Sequence, residues 1–317
     1  MTRVAAIDCG TNSIRLLVAD VDRSAGTLHD IDRRMEVVRL GQGVDRTGRI
    51  APEAMARTLD AARRYAAICT DLGVEAVRFV ATSASRDAEN RDEFVAGVRD
   101  ALGVEPEVVA GVEEAALSFR GATGALGTRH PDPYLVVDLG GGSTELVLGS
   151  TTPEAACSMD VGCVRLTERH LRSDPPTAAE IAAAEADVHA ALDAAAAVVP
   201  LGRTGTLVGL AGSVTTVTAH ALALPAYDPS RIDGAVLPVE TVVQACDDLL
   251  SRDRGSRAAL GFMHPGRVDV IGAGALVWRT VVRRVQAEVA AAGRELTEVV
   301  TSEHDILDGI AWTLAPA

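Results

Sequence analysis

Apolar positions along the chain alternate between two spacings. Val4–Ile7 and Ile14–Ala19 are short aliphatic runs, and Leu28–Leu40 is a longer stretch of mixed apolar and charged residues. Runs of this length between turn residues predict strands. Pro52–Leu72 has helical spacing and begins with a proline, which suits a first helical position. A strand at Ala76–Ala81, a helix near Arg91–Leu102, a strand at Glu105–Val109 and a helix from about Gly111 follow. The order β-β-β-α-β-α-β predicts a mixed sheet, in which a meander feeds parallel crossovers.

The stretch "GATGALGTRHPDP", Gly121–Pro133, is rich in turn residues and breaks this pattern. The expected domains are therefore 1–124 and 125–317. The second half repeats the plan, with strands at Tyr134–Val137, Thr144–Leu148 and Glu154–Met159. Thr177–Val199 is a long Ala-rich helix, with Thr177 and Glu180 spaced as a capping box. A strand at Thr206–Leu210 runs into a helix at Gly212–Ala221, and helices near Pro238–Ser251 and Ala273–Ala292 precede a strand at Leu296–Val300 and a last helix from Glu303.

The repetition extends to single residues. In "AAIDCGTNSIRLLVAD" and "VVDLGGGSTELVLG", Asp8 aligns with Asp138, Gly10 with Gly140, Ser13 with Ser143 and Leu16 with Leu146. Each half thus opens with strand, glycine turn and strand. Two such halves with a cleft between them can grip a phosphate chain from both sides.

Composition narrows the partners. With 317 residues, two domains are expected, and 48% hydrophobic content without a low-complexity tract predicts folding throughout. Aromatics are 3% and the net charge is −14 with no basic run, which argues against nucleic acid. No apolar stretch reaches the roughly 20 residues of a membrane span, and the start "MTRVAAIDCG" reads as a strand, not a signal peptide. Five scattered cysteines without a C-x-x-C pair fit a reducing compartment, so a cytoplasmic location is expected. All 30 basic residues are Arg; without lysine a Walker A loop is impossible.

The turns carry candidate chemistry. Gly residues after Asp8 and Asp138 permit positive φ and close approach of backbone amides to an anion. Thr11, Asn12, Ser13 and Ser143 can donate to phosphate oxygens, and Asp8 and Asp138 can hold magnesium directly or through water. Tight hairpins with polar tips are the alternative for one copy; two copies in register favour the anion reading. The aligned position differs, Arg15 in one copy and Glu145 in the other. Arg15 fits either a phosphate contact or a salt bridge, and Glu145 either a metal or water ligand or a solvated strand carboxylate. Glu113 and Glu114 begin a helix in "VVAGVEEAALSF", as partners of the helix dipole or with one as a general base. Arg86, in "FVATSASRDAEN", fits an anion contact or an exposed helix residue. Gly212 and Ser213 stand where a strand meets a helix N-terminus, a ready anion site. The histidines are dispersed, which argues against a catalytic metal site built on them.

Together "AAIDCGTNSIRLLVAD", "VATSASRDAEN", "AGVEEAALSFRGA", "LVVDLGGGSTELVLG", "GCVRLTE", "GLAGSVTTV" and "RVDVIGAGA" resemble the exopolyphosphatase / guanosine pentaphosphate phosphohydrolase family, in family order and over nearly the whole chain. That family is a branch of the actin, sugar-kinase and heat-shock ATPase superfamily. The resemblance implies an α/β protein of two ribonuclease-H-like domains with mixed five-stranded sheets flanked by helices, and an active site in the interdomain cleft. It also implies magnesium dependence, with another divalent ion such as manganese as alternative. By motif position the base falls on Glu114. The metal- and water-handling carboxylates fall on Asp138 and Glu145, with Asp8 a further metal candidate. Phosphate contacts fall on Thr11, Asn12, Ser13, Arg86, Gly140, Gly141, Gly142, Ser143, Gly212 and Ser213. The chain resembles the short, two-domain form, whose last helix, 303–314, is expected to pack back on the first domain. A homodimer is implied by analogy alone.

The expected function is release of terminal orthophosphate from polyphosphate, with short chains preferred. Removal of the 5′ γ-phosphate of guanosine pentaphosphate is the near alternative. A nucleotide-driven switch or filament module of actin-like fold is the alternative from another class, and a sugar kinase is the third.

Overall fold

The computed structural model describes residues 1–126 and 129–315. Gly127 and Thr128, from the turn-rich stretch, lie outside the described residues. The chain divides into two compact units, residues 1–121 with those from Ile306 onward, and residues 122–305.

The first unit opens with strands β1 (Thr2–Cys9), β2 (Ser13–Asp22) and β3 (Thr27–Val37). Helices α1 (Val44–Thr47) and α2 (Pro52–Asp71) lead to β4 (Ala76–Ala81), and α3 (Ser83–Arg86) and α4 (Arg91–Leu102) to β5 (Glu107–Val108). The helix α5 spans Gly111–Leu126. The sheet order is β3-β2-β1-β4-β5, antiparallel through β1–β3 and parallel from β1 to β5.

Alternation along β1 explains why both sheet faces are covered. Ala5, Ile7 and Cys9 enter one core with Tyr65 of α2 and Phe94 and Val98 of α4. Val4 and Ala6 enter another, with Leu117 of α5 and Ile306, Leu307 and Ile310. Those last residues belong to α13 (Ile306–Leu314). Gly309 of α13 lies so close to the Leu117 carbonyl that a Cβ would collide with it. Arg33 binds the buried Asp308 at 2.8 Å, and Arg78 donates to Thr313 at 3.0 Å.

The second unit repeats the opening as β6 (Tyr134–Leu139), β7 (Thr144–Gly149) and β8 (Pro153–Met159). Then come α6 (Cys163–Arg169), α7 (Ala178–Ala196), β9 (Thr206–Leu210) and α8 (Ala211–Ala221). The rest is α9 (Pro229–Ile232), β10 (Val236–Pro238), α10 (Val239–Ser251), α11 (Arg254–Ala258), α12 (Ile271–Ala291) and β11 (Glu298–Thr301). The sheet order is β10-β11-β9-β6-β7-β8. Its core joins the sheet to α7, α8, α10 and α12, with Trp278 fully buried. The Thr177–Glu180 capping box is present at the start of α7.

Two expectations are corrected. The second sheet has six strands, not five, because β10 adds antiparallel to β11; a three-residue strand ending in proline has too short a pattern to read. Gly121–Leu126 is the last part of α5, not a turn. Within it Ala122 is fully buried, whereas Gly124 faces open space.

Candidate active site

The two glycine turns are built alike. Gly10 donates to the Ser13 carbonyl and Gly140 to the Ser143 carbonyl, each at 3.0 Å. None of Gly10, Gly140, Gly141 and Gly142 is among the glycines with positive φ, so the freedom expected of them is not what these turns use. Close approach is. A Cβ on Gly140 would lie 3.1 Å from the Ser143 carbonyl oxygen.

In each unit the segment after the third strand ties down the turn's carbonyls. In the first, Gly41 donates to the Thr11 carbonyl at 2.9 Å, and Val38 and Arg39 to that of Asn12 at 3.1 and 2.9 Å. In the second, Cys163 donates to Gly140 at 3.1 Å, and Val164 and Arg165 to Gly141 at 2.8 and 3.1 Å. The Arg165 side chain completes the set, its Nε donating to the Gly142 carbonyl at 2.7 Å. Each clamp contains a glycine with no room for a side chain against the turn, Gly41 against Thr11 and Gly162 against Gly141. Among the described residues no backbone carbonyl accepts from the amides of Thr11, Asn12, Gly141 or Gly142. A trans peptide holds its C=O and N–H on opposite sides. Fixing the carbonyls therefore aims the following amides the other way, as an anion cradle requires.

Beside each turn the strands pair an acid with a different partner. Asp8 is opposite Arg15, whose Nε and Nη2 reach its Oδ2 at 3.0 and 2.7 Å. Arg15 thus forms the salt bridge that was one of its two readings. In the second unit Asp138 is opposite Glu145, and both are buried. Glu145 is 1% exposed, which removes the solvated reading, and its Oε1 accepts from the Ser158 hydroxyl at 2.6 Å. Two adjacent carboxylates disfavour each other's charge, and their hard oxygens fit magnesium. That ion takes one or two carboxylates and fills its shell with water and phosphate oxygens. Among the described residues no three or more His, Cys, Asp or Glu are grouped to hold a metal. An ion there would need such outside oxygens.

The first unit joins two further candidates. Arg86 ends α3 and Glu114 lies in the first turn of α5; Arg86 Nη1 donates to Glu114 Oε2 and to the Val109 carbonyl, both at 3.0 Å. Glu114 is buried, whereas the neighbouring Glu113 is exposed and bound to Arg78. Thr11 is linked to Ser83, at the start of α3, by a 2.8 Å hydroxyl contact.

In the second unit Asp138 also pairs with Leu210, so the start of α8 lies one strand from the glycine turn. Ala211 there has φ 69°, a strained conformation for a residue with a side chain. Gly212 lies under the Arg267 guanidinium with no room for a Cβ, and Ser213 is buried. Arg267 also donates to Thr216 at 3.3 Å. Nearby, Tyr227 contacts Thr215 at 2.7 Å and Glu303 at 2.6 Å. Burial, more than the Tyr227 contact can offset, raises the Glu303 carboxyl above its ordinary range. Burial and then Arg267 lower the His264 imidazole.

Sequence reasoning assigned no role to Arg165, Arg267 or Tyr227. The first two lie in the quoted stretches "GCVRLTE" and "RVDVIGAGA"; the signal was there, but their partners are fixed by the fold alone.

The model of the Ppx/GppA phosphatase family matches residues 17–295. The chain belongs to the Ppx/GppA phosphatase family. It is a hydrolase of the phosphatase kind. It is 51% identical to "Exopolyphosphatase 2" of Mycobacterium tuberculosis over 99% of both chains. It is also 38% identical, over 55% of its length and 34% of the relative's, to "Guanosine-5'-triphosphate,3'-diphosphate pyrophosphatase" of Vibrio cholerae. A crystal structure of an exopolyphosphatase-like protein superposes with TM-score 0.94 at 47% identity, covering 98% of each chain. The Aquifex aeolicus member of the Ppx/GppA family superposes with TM-score 0.78 at 27% identity, over 98% of this chain and 97% of the other. Among the described residues no helix is long and apolar enough to cross a membrane.

Proposed function

We propose that this family member is an exopolyphosphatase, releasing terminal orthophosphate from inorganic polyphosphate with the help of magnesium. The observation that carries this is the pair of like-built turns, each with its carbonyls tied back and its amides left for an anion. A substrate made of phosphates suits either cradle. The likeness to an exopolyphosphatase over nearly the full length supports the same reading.

The residues divide the work. Backbone amides of Thr11–Ser13 and Gly141–Ser143 hold phosphate oxygens without adding a mobile charge. Glu114 takes the proton of the attacking water. Arg86 orients that carboxylate by donating from its Nη1 to Oε2. Asp138 and Glu145 would hold the metal. Bound there, magnesium supplies positive charge to the oxygens of the phosphoryl group being cleaved. The start of α8 would add backbone amides, since the Ser213 hydroxyl is bonded to Cys163.

A second reading is favoured by one observation, the likeness over about half of this chain to the Vibrio cholerae enzyme. It makes the γ-phosphate of guanosine pentaphosphate a substrate of the same groups. One assay tests both: orthophosphate release from short polyphosphate, long polyphosphate, guanosine pentaphosphate and ATP, each with magnesium or EDTA. The proposal expects magnesium-dependent release from polyphosphate. Release from guanosine pentaphosphate alone selects the second reading, and turnover confined to ATP discards both.

A further inference from the structure

We infer that Arg165 is a positioning residue of the phosphate cradle, acting through one hydrogen bond from its Nε and not through its charge. The inference deepens the proposed function and rests on the Gly140–Ser143 turn being a phosphate site.

Three peptide planes follow one another in that turn, and their carbonyls belong to Gly140, Gly141 and Gly142. The first two are held by backbone amides of α6, from Cys163, Val164 and Arg165. Those bonds come with the helix and survive any side-chain change. The third carbonyl, Gly142, is held by the Arg165 side chain at 2.7 Å. Because the peptide is planar and trans, that carbonyl and the Ser143 amide point in opposite directions. Holding one therefore aims the other. Arg165 is 12% exposed, with its Nη2 3.9 Å from the exposed Asp160, so packing limits where its side chain can go. In the first unit the Asn12 carbonyl, which precedes Ser13, is held by the backbone amides of Val38 and Arg39.

The competing role for an arginine beside a phosphate loop is direct contact with the anion. Side-chain chemistry separates the two. Arginine Nε and glutamine Nε2 are the same number of bonds from Cα, so Arg165→Gln keeps a donor where Nε stands and removes the charge. Lysine has a methylene at that place, so Arg165→Lys keeps the charge and loses the donor at the Nε position, its ammonium lying one atom further out. Arg165→Ala loses both.

The experiment measures kcat and KM for tripolyphosphate hydrolysis, thermal unfolding, and the unfolding shift on adding tripolyphosphate without metal, for wild type and the three variants. Arg165→Gln is expected within about threefold of wild-type KM. Arg165→Lys and Arg165→Ala are expected to raise KM about 3–10-fold, the effect of one lost hydrogen bond. kcat should change less, because the cradle grips the phosphate before and during reaction. The tripolyphosphate shift should follow the same order, with unfolding midpoints without ligand alike for Gln and Lys. Any other ranking overturns the inference: Lys rescuing where Gln fails makes Arg165 a direct anion contact, and equal behaviour of Gln and Lys removes the positioning role. A wild type that neither hydrolyses nor binds tripolyphosphate overturns the phosphate site itself, and the inference with it.

Discussion

Asp138 lies directly opposite Glu145 in the second sheet, where the equivalent register of the first places Asp8 opposite Arg15. The duplicated hairpin therefore carries a carboxylate pair in one copy and an internal ion pair in the other. If the carboxylate pair holds magnesium, Glu145→Gln should raise the magnesium concentration for half-maximal orthophosphate release at least about tenfold, the scale seen on disturbing metal sites. Asp8→Asn should leave that concentration within about twofold, because the Asp8 carboxylate is already engaged by Arg15. Magnesium titrations of both variants check this. Equal shifts would place the ion elsewhere.

Glu114 tests the chemistry. Glu114→Gln keeps side-chain shape and a contact for Arg86, and should lower kcat at least ~10²-fold, as loss of a general base does. Its thermal unfolding should stay near that of wild type. Single-turnover release of orthophosphate measures the loss. Near-normal turnover would remove Glu114 as the base.

The clamp glycines test the loop architecture. Gly162→Ala places a Cβ 2.5 Å from the Gly141 carbonyl oxygen, which is backbone and cannot swing aside. It should destabilise by about 1–3 kcal/mol, the usual effect of overpacking, and raise KM. Gly41→Ala meets mainly the Thr11 methyl, a side-chain atom, and should cost less. Denaturant unfolding of the two variants compares them. A Gly162→Ala protein as stable as wild type would contradict the close packing described.

Much of this was legible in the sequence, for a physical reason. Aliphatic runs and turn residues act over short distances, so β1–β2 and β6–β7, their turns and the Thr177 cap could be read directly. The duplication doubled a signal too weak to trust alone. Contacts between distant segments left no such trace. Arg86 and Glu114 stand 28 positions apart, and nothing local announces their ion pair. The Arg165–Gly142 bond spans 23 positions. Glycine also misled: Gly121 and Gly124 lie inside helix α5, not in a turn.

Acid stability should show the α7 cap. The Glu180 carboxylate accepts from the Thr177 amide, and that bond, with Thr177 and Ser173 hydroxyls and the Arg172 amide, lowers its pKa from 4.5 to about 2. A lowered acid pKa stabilises the fold above the unfolded value and loses that effect as pH falls. Glu180→Gln should therefore unfold more readily than wild type above pH 4.5, with the difference shrinking as pH drops toward about 2. Denaturant midpoints across that window check the sign. A difference that grows on acidification would contradict it.

The central claim is that the amides of two like-built turns bind phosphate. Amide chemical shifts of the Glu114→Gln protein, titrated with tripolyphosphate and magnesium, test it without turnover. The account predicts saturable shifts at Thr11, Asn12, Ser13, Gly141, Gly142 and Ser143. Saturation elsewhere with these amides unmoved, in a protein whose wild type hydrolyses polyphosphate, would contradict it.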